Sequence, residues 1–294
     1  MTLIDDARRK DEALGEIDWR AVPEGAVRDT VAAPSGALAR LSAGPEDGQR
    51  VLLVPGATGS KEDFVLMLPL LTAAGYRVES YDLAGQYESA GAGPERLTPP
   101  RPRYDYRLFV DDMLAVLEQG RTPAHVLGYS FAGLIAQQAL VERPELFASL
   151  TLLTSPPASG QVFRGVKRIG RLSDRVGARA SASLMLWGIR SNLNRVDASR
   201  LAFVRGRFAL TRRSSVDDIV AAMMDTPDVV DEVAAIPIPK LVAASEHDLW
   251  PVAQYRAYAA RIGAELVVYE TGHSPCETAP HQLTRDMLRL FAAS

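Results

Sequence analysis

Cysteine is almost missing from the 294 residues: Cys276 stands alone, which excludes an internal disulfide and any thiolate cluster for a structural zinc. Histidine is scarce too, with His125, His247, His273 and His281 making up the full set. His247 adjoins Asp248 but has no second His or carboxylate at ligand spacing, so neither a metal nor another cofactor is expected. A net charge of -3 gives no electrostatic case for nucleic acid or for an anionic membrane surface. No apolar run approaches the length of a membrane-spanning helix. The first six residues lack the basic-then-apolar run of a signal peptide, and the expectation is a cytoplasmic protein. No internal repeat or low-complexity tract is present.

What remains is the ordinary composition of a globular chain, 47% hydrophobic and 23% charged, long enough for one large α/β domain with an insertion. Residues 1–22 are charged and read as a loosely held helix or arm. Short strand-like runs fall at 26–32, 37–41, 51–54, 76–82, 124–127, 150–153, 240–244 and 266–269. The run at 51–54 is wholly apolar, as in strands buried on both faces of a parallel sheet. Helical spacing fills 64–74, 108–117, 134–141, 254–262 and 282–292. Strands alternating with helices predict a mostly parallel sheet covered on both faces. Residues 155–235 break the rhythm, being rich in Arg, Leu, Met and Ala without a convincing strand, and read as a helical insertion. The core is then 1–154 with 236–294.

One stretch organises the chain, Gly128-Tyr129-Ser130-Phe131-Ala132-Gly133. A strand stops at Gly128 and a small-residue helix restarts at once, leaving Ser130 at the apex of a tight turn. Strand and helix backbones crowd there, so the flanking positions must be small, as Gly128, Ala132 and Gly133 are. The spacing is that of a nucleophile elbow, with Ala132 in place of the second glycine. A serine-capped strand-to-helix turn would give the same local pattern.

In a sheet of this kind active residues sit on loops past the carboxyl ends of strands. Three such loops carry Ser130, then Asp248 in Ser245-Glu246-His247-Asp248, then His273 in Thr271-Gly272-His273-Ser274. Serine needs a base to remove its proton, and an imidazole needs a carboxylate to fix its tautomer. Glu246 is the alternative acid, and Asp248 could instead cap the next helix. His125 reads as a strand residue, His281 as a helix-surface residue, Asp82 as a turn former and Cys276 as a buried thiol. The loop Pro55-Gly56-Ala57-Thr58-Gly59 suggests a dinucleotide turn, but position 62 is Glu and no Tyr-x-x-x-Lys follows, which disfavours a nicotinamide oxidoreductase.

The order Ser, Asp, His together with the strand and loop at 51–60, Tyr81-Asp82-Leu83-Ala84-Gly85, the elbow, and Gly272-His273-Ser274-Pro275 followed by Glu277 and Pro280 resembles the α/β-hydrolase superfamily. The resemblance covers nearly all of the chain after residue 25. It implies the α/β-hydrolase fold, with 155–235 as a cap inserted after the sixth strand. It also implies a catalytic triad of Ser130, Asp248 and His273, with the backbone N–H groups of Ala57 and Phe131 as the oxyanion hole. Pro55-Gly56 stands where many members have His-Gly. The expected activity is that of a serine esterase on a small, fairly apolar ester or lactone. A C–C bond hydrolase with the same triad and a non-catalytic ligand-binding member are the alternatives. Phe64, Met67, Tyr129, Phe131, Trp187 and Trp250 are expected near the substrate pocket. The partner is a small-molecule substrate, with no nucleic acid and no membrane, and a homodimer stays open.

Overall fold

Strands β3 (Arg50–Val54), β5 (Ala124–Tyr129) and β7 (Lys240–Ser245) are buried along their whole length, and they form the middle of the sheet with β6 (Phe147–Leu153). Side chains on these strands alternate between two apolar clusters. Leu52, Val54 and Val126 join one, and Val51, Leu53 and Leu127 join the other. A strand with a hydrophobic layer on each side has no solvent face, which is why its sequence does not alternate with polar residues.

The computed structural model describes residues 3–167 and 197–293. Its eight-stranded sheet runs in the order β1-β2-β4-β3-β5-β6-β7-β8, completed by β1 (Val27–Ala33), β2 (Gly36–Ala43), β4 (Arg77–Tyr81) and β8 (Glu265–Tyr269). Pairings involving β1 and β2 are antiparallel; the rest are parallel. This is the α/β-hydrolase fold. From β3 the chain moves first to β4 on one side and later to β5 on the other. The order therefore reverses between β3 and β5, and a crevice opens beyond their carboxyl ends.

Helices α3 (Tyr106–Glu118) and α4 (Phe131–Glu142) pack together on one face, with α8 (Val252–Ile262) feeding the same cluster. The opposite face is covered by α2 (Leu68–Ala73) and α10 (Pro280–Phe291), the latter following the short α9 (Pro275–Thr278). Between β6 and β7 the described residues form a short 3₁₀ turn (Val162–Gly165), α5 (Ala198–Leu210), α6 (Arg213–Met223) and α7 (Val230–Ala235).

Two local expectations change. The continuous helix read over 64–74 is a 3₁₀ turn (Lys61–Phe64) followed by α2, because Pro69 sits in the first turn of a new helix and has no N–H to continue an old one. The N-terminal arm is docked rather than loose. In α1 (Leu3–Glu12), Asp11 accepts the N–H of His281 at 2.8 Å and of Gln282 at 3.1 Å, and His281 Nδ1 lies 2.8 Å away. A carboxylate from another helix thus caps the N-terminus of α10, so His281 is a pairing residue and not a bare surface one.

Candidate active site

Ser130 occupies the turn between β5 and α4 with φ 52° and ψ -118°, a region that side chains other than glycine avoid. Its N–H donates to the Leu153 carbonyl at 2.9 Å, and its carbonyl accepts from Gly133 N–H at 3.0 Å, so the strained residue is held from both sides. The crowding that the sequence foretold is carried by Gly128 and Gly133. A Cβ on Gly128 would meet the Ala132 carbonyl oxygen at 2.6 Å, and one on Gly133 would come within 2.6 Å of the Ser155 Cβ. Ala132 is tolerated at the expected second-glycine position because the close approach falls one residue later.

His273 and Asp248 arrive from the loops after β8 and β7. The imidazole Nε2 stands 3.1 Å from Ser130 Oγ, and Nδ1 stands 2.5 Å from Asp248 Oδ1. These are hydrogen-bonding distances for all three groups. Asp248 is only 3% exposed, and its Oδ1 also accepts the Leu249 N–H at 2.6 Å while Oδ2 accepts the Tyr255 hydroxyl. Glu246, the alternative acid, is exposed, and its backbone carbonyl receives Lys167 Nζ at 2.9 Å. His247 is exposed beside it, with its N–H on the Thr271 carbonyl. Among the described residues no group of three or more His, Cys, Asp or Glu is arranged to hold a metal.

The loop bearing His273 is tied down twice. Thr154 Oγ1 donates to the His273 carbonyl at 2.8 Å, and the Tyr129 and Ser274 hydroxyls pair at 2.8 Å. Thr154 adopts a positive φ of 40° at the end of β6. Burial pushes the Tyr129 hydroxyl well above its ordinary value, so it remains a neutral hydrogen-bonding group.

A cavity of roughly 270 Å³ opens over these residues. Gly56, Ala57, Tyr129, Ser130 and His273 form its floor, while Phe163, Leu201, Val204, Met223, Leu249 and Trp250 supply apolar wall. Trp250 is fixed by its indole N–H on the Val162 carbonyl at 2.9 Å. Ala57 lines the cavity, and Phe131 opens α4, where the first N–H groups have no partner within the helix. The Phe131 ring itself points into the core against Phe109 and Tyr106, and Phe64 and Met67 are likewise core residues, against the expectation that all three lie by the pocket. Trp187 lies outside the described residues.

The sequence reading missed a charged cluster on the cavity wall. Arg200 and Arg207 on α5 both donate to Asp63 Oδ1, at 2.7 and 2.6 Å, and Arg200 also pairs with Glu277 on α9. Asp63, Arg200 and Arg207 are nearly inaccessible, and all four line the cavity. Burial alone would raise the Asp63 pKa, but the Arg207 and Arg200 guanidiniums outweigh it and hold the carboxylate below its usual range. Burial raises the pKa of Glu277 despite Arg200. The only sequence signal was Lys-Glu-Asp at 61–63 directly after an apolar strand and loop, a place where three consecutive charges need partners.

Residues 51–286 match the Alpha/beta hydrolase family. The chain belongs to the α/β-hydrolase family. RutD of Variovorax paradoxus, which carries a carbamate-hydrolase name, is 33% identical to this chain over 113 residues, or 38% of this chain and 40% of its own length. That match thus spans less than half of the relative. Strigolactone esterase D14 of Arabidopsis thaliana is 26% identical over 255 residues, covering 82% of this chain and 92% of D14. Carboxylesterase CesB (YbfK) of Bacillus subtilis superposes with a TM-score of 0.71 at 17% identity, over 99% of this chain and 98% of CesB, a likeness of fold.

Proposed function

We propose that this hydrolase is a serine esterase that cleaves a small, fairly apolar carboxylic ester or lactone through an acyl-enzyme. The observation that carries the reading is the continuous chain from Ser130 Oγ to His273 at 3.1 Å and on to Asp248 at 2.5 Å, opening into a cavity with a largely apolar wall. In this reading His273 Nε2 takes the Ser130 proton as Oγ bonds to the substrate carbonyl carbon, and the carbonyl electron pair moves onto oxygen. The Ala57 and Phe131 N–H groups would receive that oxyanion. Collapse of the intermediate breaks the bond to the alcohol oxygen, which leaves with the proton held on His273. Water then repeats the sequence on the acyl-serine, releasing the acid and restoring Ser130.

Asp248 keeps Nδ1 protonated and stabilises the imidazolium that forms twice per turnover. The apolar wall favours a hydrophobic acyl or alcohol group, since burying it there removes area from water.

The test is labelling by a fluorophosphonate probe followed by turnover of p-nitrophenyl acetate, butyrate and octanoate. The expected result is a single modified peptide containing Ser130 and hydrolysis that Ser130→Ala abolishes. Labelling without turnover of any ester or lactone would favour the C–C hydrolase or ligand-binding alternatives. No labelling at Ser130 would remove the reading altogether.

A further inference from the structure

Asp248 divides its partners unequally between its two oxygens. Oδ1 serves the imidazole and the Leu249 N–H, whereas Oδ2 receives the Tyr255 hydroxyl. We propose that Tyr255 is a positioning residue of this hydrolase: its hydroxyl fixes the plane of the Asp248 carboxylate and so sets the orientation and basicity of His273. The inference rests on the assignment of Ser130, His273 and Asp248 to the reaction.

Tyr255 suits the role because nothing about it is free to move. It is 0% exposed and lies in the first turn of α8. The short link from Asp248 to that helix contains Trp250, itself pinned to the Val162 carbonyl. Burial first, and the Asp248 charge second, push the Tyr255 hydroxyl well above its ordinary pKa, so it keeps its proton and always donates. A buried carboxylate oxygen deprived of its donor retains full negative charge and can rotate away from its partner. Returning that charge to the pair would make the imidazolium easier to form while loosening its geometry. Among the described residues, the other ionisable groups that share the cavity with the imidazole are Tyr129, whose ring centroid is 5.4 Å away, and the Asp63, Arg200, Arg207 and Glu277 group on its wall. Removing one hydroxyl at Tyr255 leaves them in place.

The experiment is Tyr255→Phe, which keeps the ring and deletes only the donor. The expected result is a fall in kcat of about tenfold on a p-nitrophenyl ester at unchanged KM, the loss of one hydrogen bond to a charged group. The acid limb of kcat/KM against pH should move to higher pH, and the downfield proton resonance of His273 Nδ1 should shift. In an Asp248→Asn background the same change should cost nothing further. Unaltered kcat and acid limb in folded Tyr255→Phe, or an equal loss in both backgrounds, would overturn the proposal. Should Tyr255→Phe fail to fold, 3-fluorotyrosine at position 255 gives a more acidic donor of nearly the same shape. It should move the acid limb to lower pH, and no movement would refute the role. The proton resonance needs no substrate, so it reports on Tyr255 even if the esterase reading fails.

Discussion

Gly56 lies so close to Ser130 that a Cβ built on it would stand 2.9 Å from the Ser130 Cβ and 3.0 Å from the Tyr129 carbonyl oxygen. Both obstacles belong to the elbow, whose backbone is already strained and cannot withdraw cheaply. The missing side chain at Gly56 is thus what lets the β3 loop approach Ser130. Gly56→Ala should cost about 1–3 kcal/mol by overpacking. A displacement of Ser130 by ~1 Å would cost kcat/KM on the order of 10²-fold. Thermal unfolding and ester kinetics on the same preparation check this; wild-type values in both would mean the loop yields instead of the elbow.

The Asp63–Arg200–Arg207 cluster joins the core to α5 across the cavity wall. Removing the shared carboxylate leaves two buried guanidiniums with only Glu277, on the Arg200 side, to offset them. Asp63→Asn should therefore destabilise the fold by about 3–5 kcal/mol, whereas replacing all three by Leu, Met and Met should cost clearly less. In the triple variant Glu277 can take up a proton, as its raised pKa already favours. Urea denaturation of the two variants tests the order. A triple variant less stable than Asp63→Asn would show that the charges contribute net stability.

How far these features were legible follows from the range of the forces behind them. The central strands β3, β5, β6 and β7 could be placed because burial on two faces leaves an apolar run, a purely local signal, whereas the exposed β1 was marked by the Pro34-Ser35-Gly36 turn that follows it. Ser130, Asp248 and His273 could be proposed because each follows a strand end in a fixed order. The helix over 64–74 was misread because its periodicity survives the break that Pro69 imposes. Arg200, Arg207 and Tyr255 carried no signal: an arginine or tyrosine on an amphipathic helix reads as surface or core until its distant partner is known. Asp82 was read as a turn former yet is fully buried, accepting Lys61 N–H at 2.8 Å and lying 3.1 Å from Lys61 Nζ. Pairing across 21 residues is a tertiary fact that spacing does not encode.

The hydrogen-bonded chain from Ser130 through His273 reaches Asp248 and leaves Glu246 outside it. Asp248→Asn should lower kcat by about 10³–10⁴-fold, because an amide presents the imidazole with the wrong tautomer partner. Ser130→Ala and His273→Ala should each lose roughly 10⁴-fold or more. Glu246→Gln should leave kcat within about twofold, as expected of an exposed residue away from the reacting groups. Full activity in Asp248→Asn would transfer the acid role elsewhere, and steady-state kinetics on one ester decides between the two carboxylates.

His125 gives the fold a dependence on pH that is separate from the candidate site. Its ring stacks on Phe291 at 3.8 Å between centroids, and Nδ1 lies 2.9 Å from Ser149 Oγ. Burial pushes its pKa down from 6.5 to about 4, so the native state keeps it neutral where the unfolded chain would protonate it. Between those two values the unfolded state binds more protons. The His125 contribution is therefore complete above about pH 6.5 and is lost as pH falls toward 4. Asp112 acts in the opposite sense: burial raises it to about 7, so its contribution fades as pH rises from 3.8 through that value. The two overlap, and only a difference isolates the histidine. Urea unfolding at several pH values for wild type and His125→Gln should give a stability gap that widens steadily from pH 4 to 6.5 and then levels. A gap that stays constant across that range would mean the ring takes up its proton in the native protein as it does in the unfolded chain, and burial does not hold it neutral.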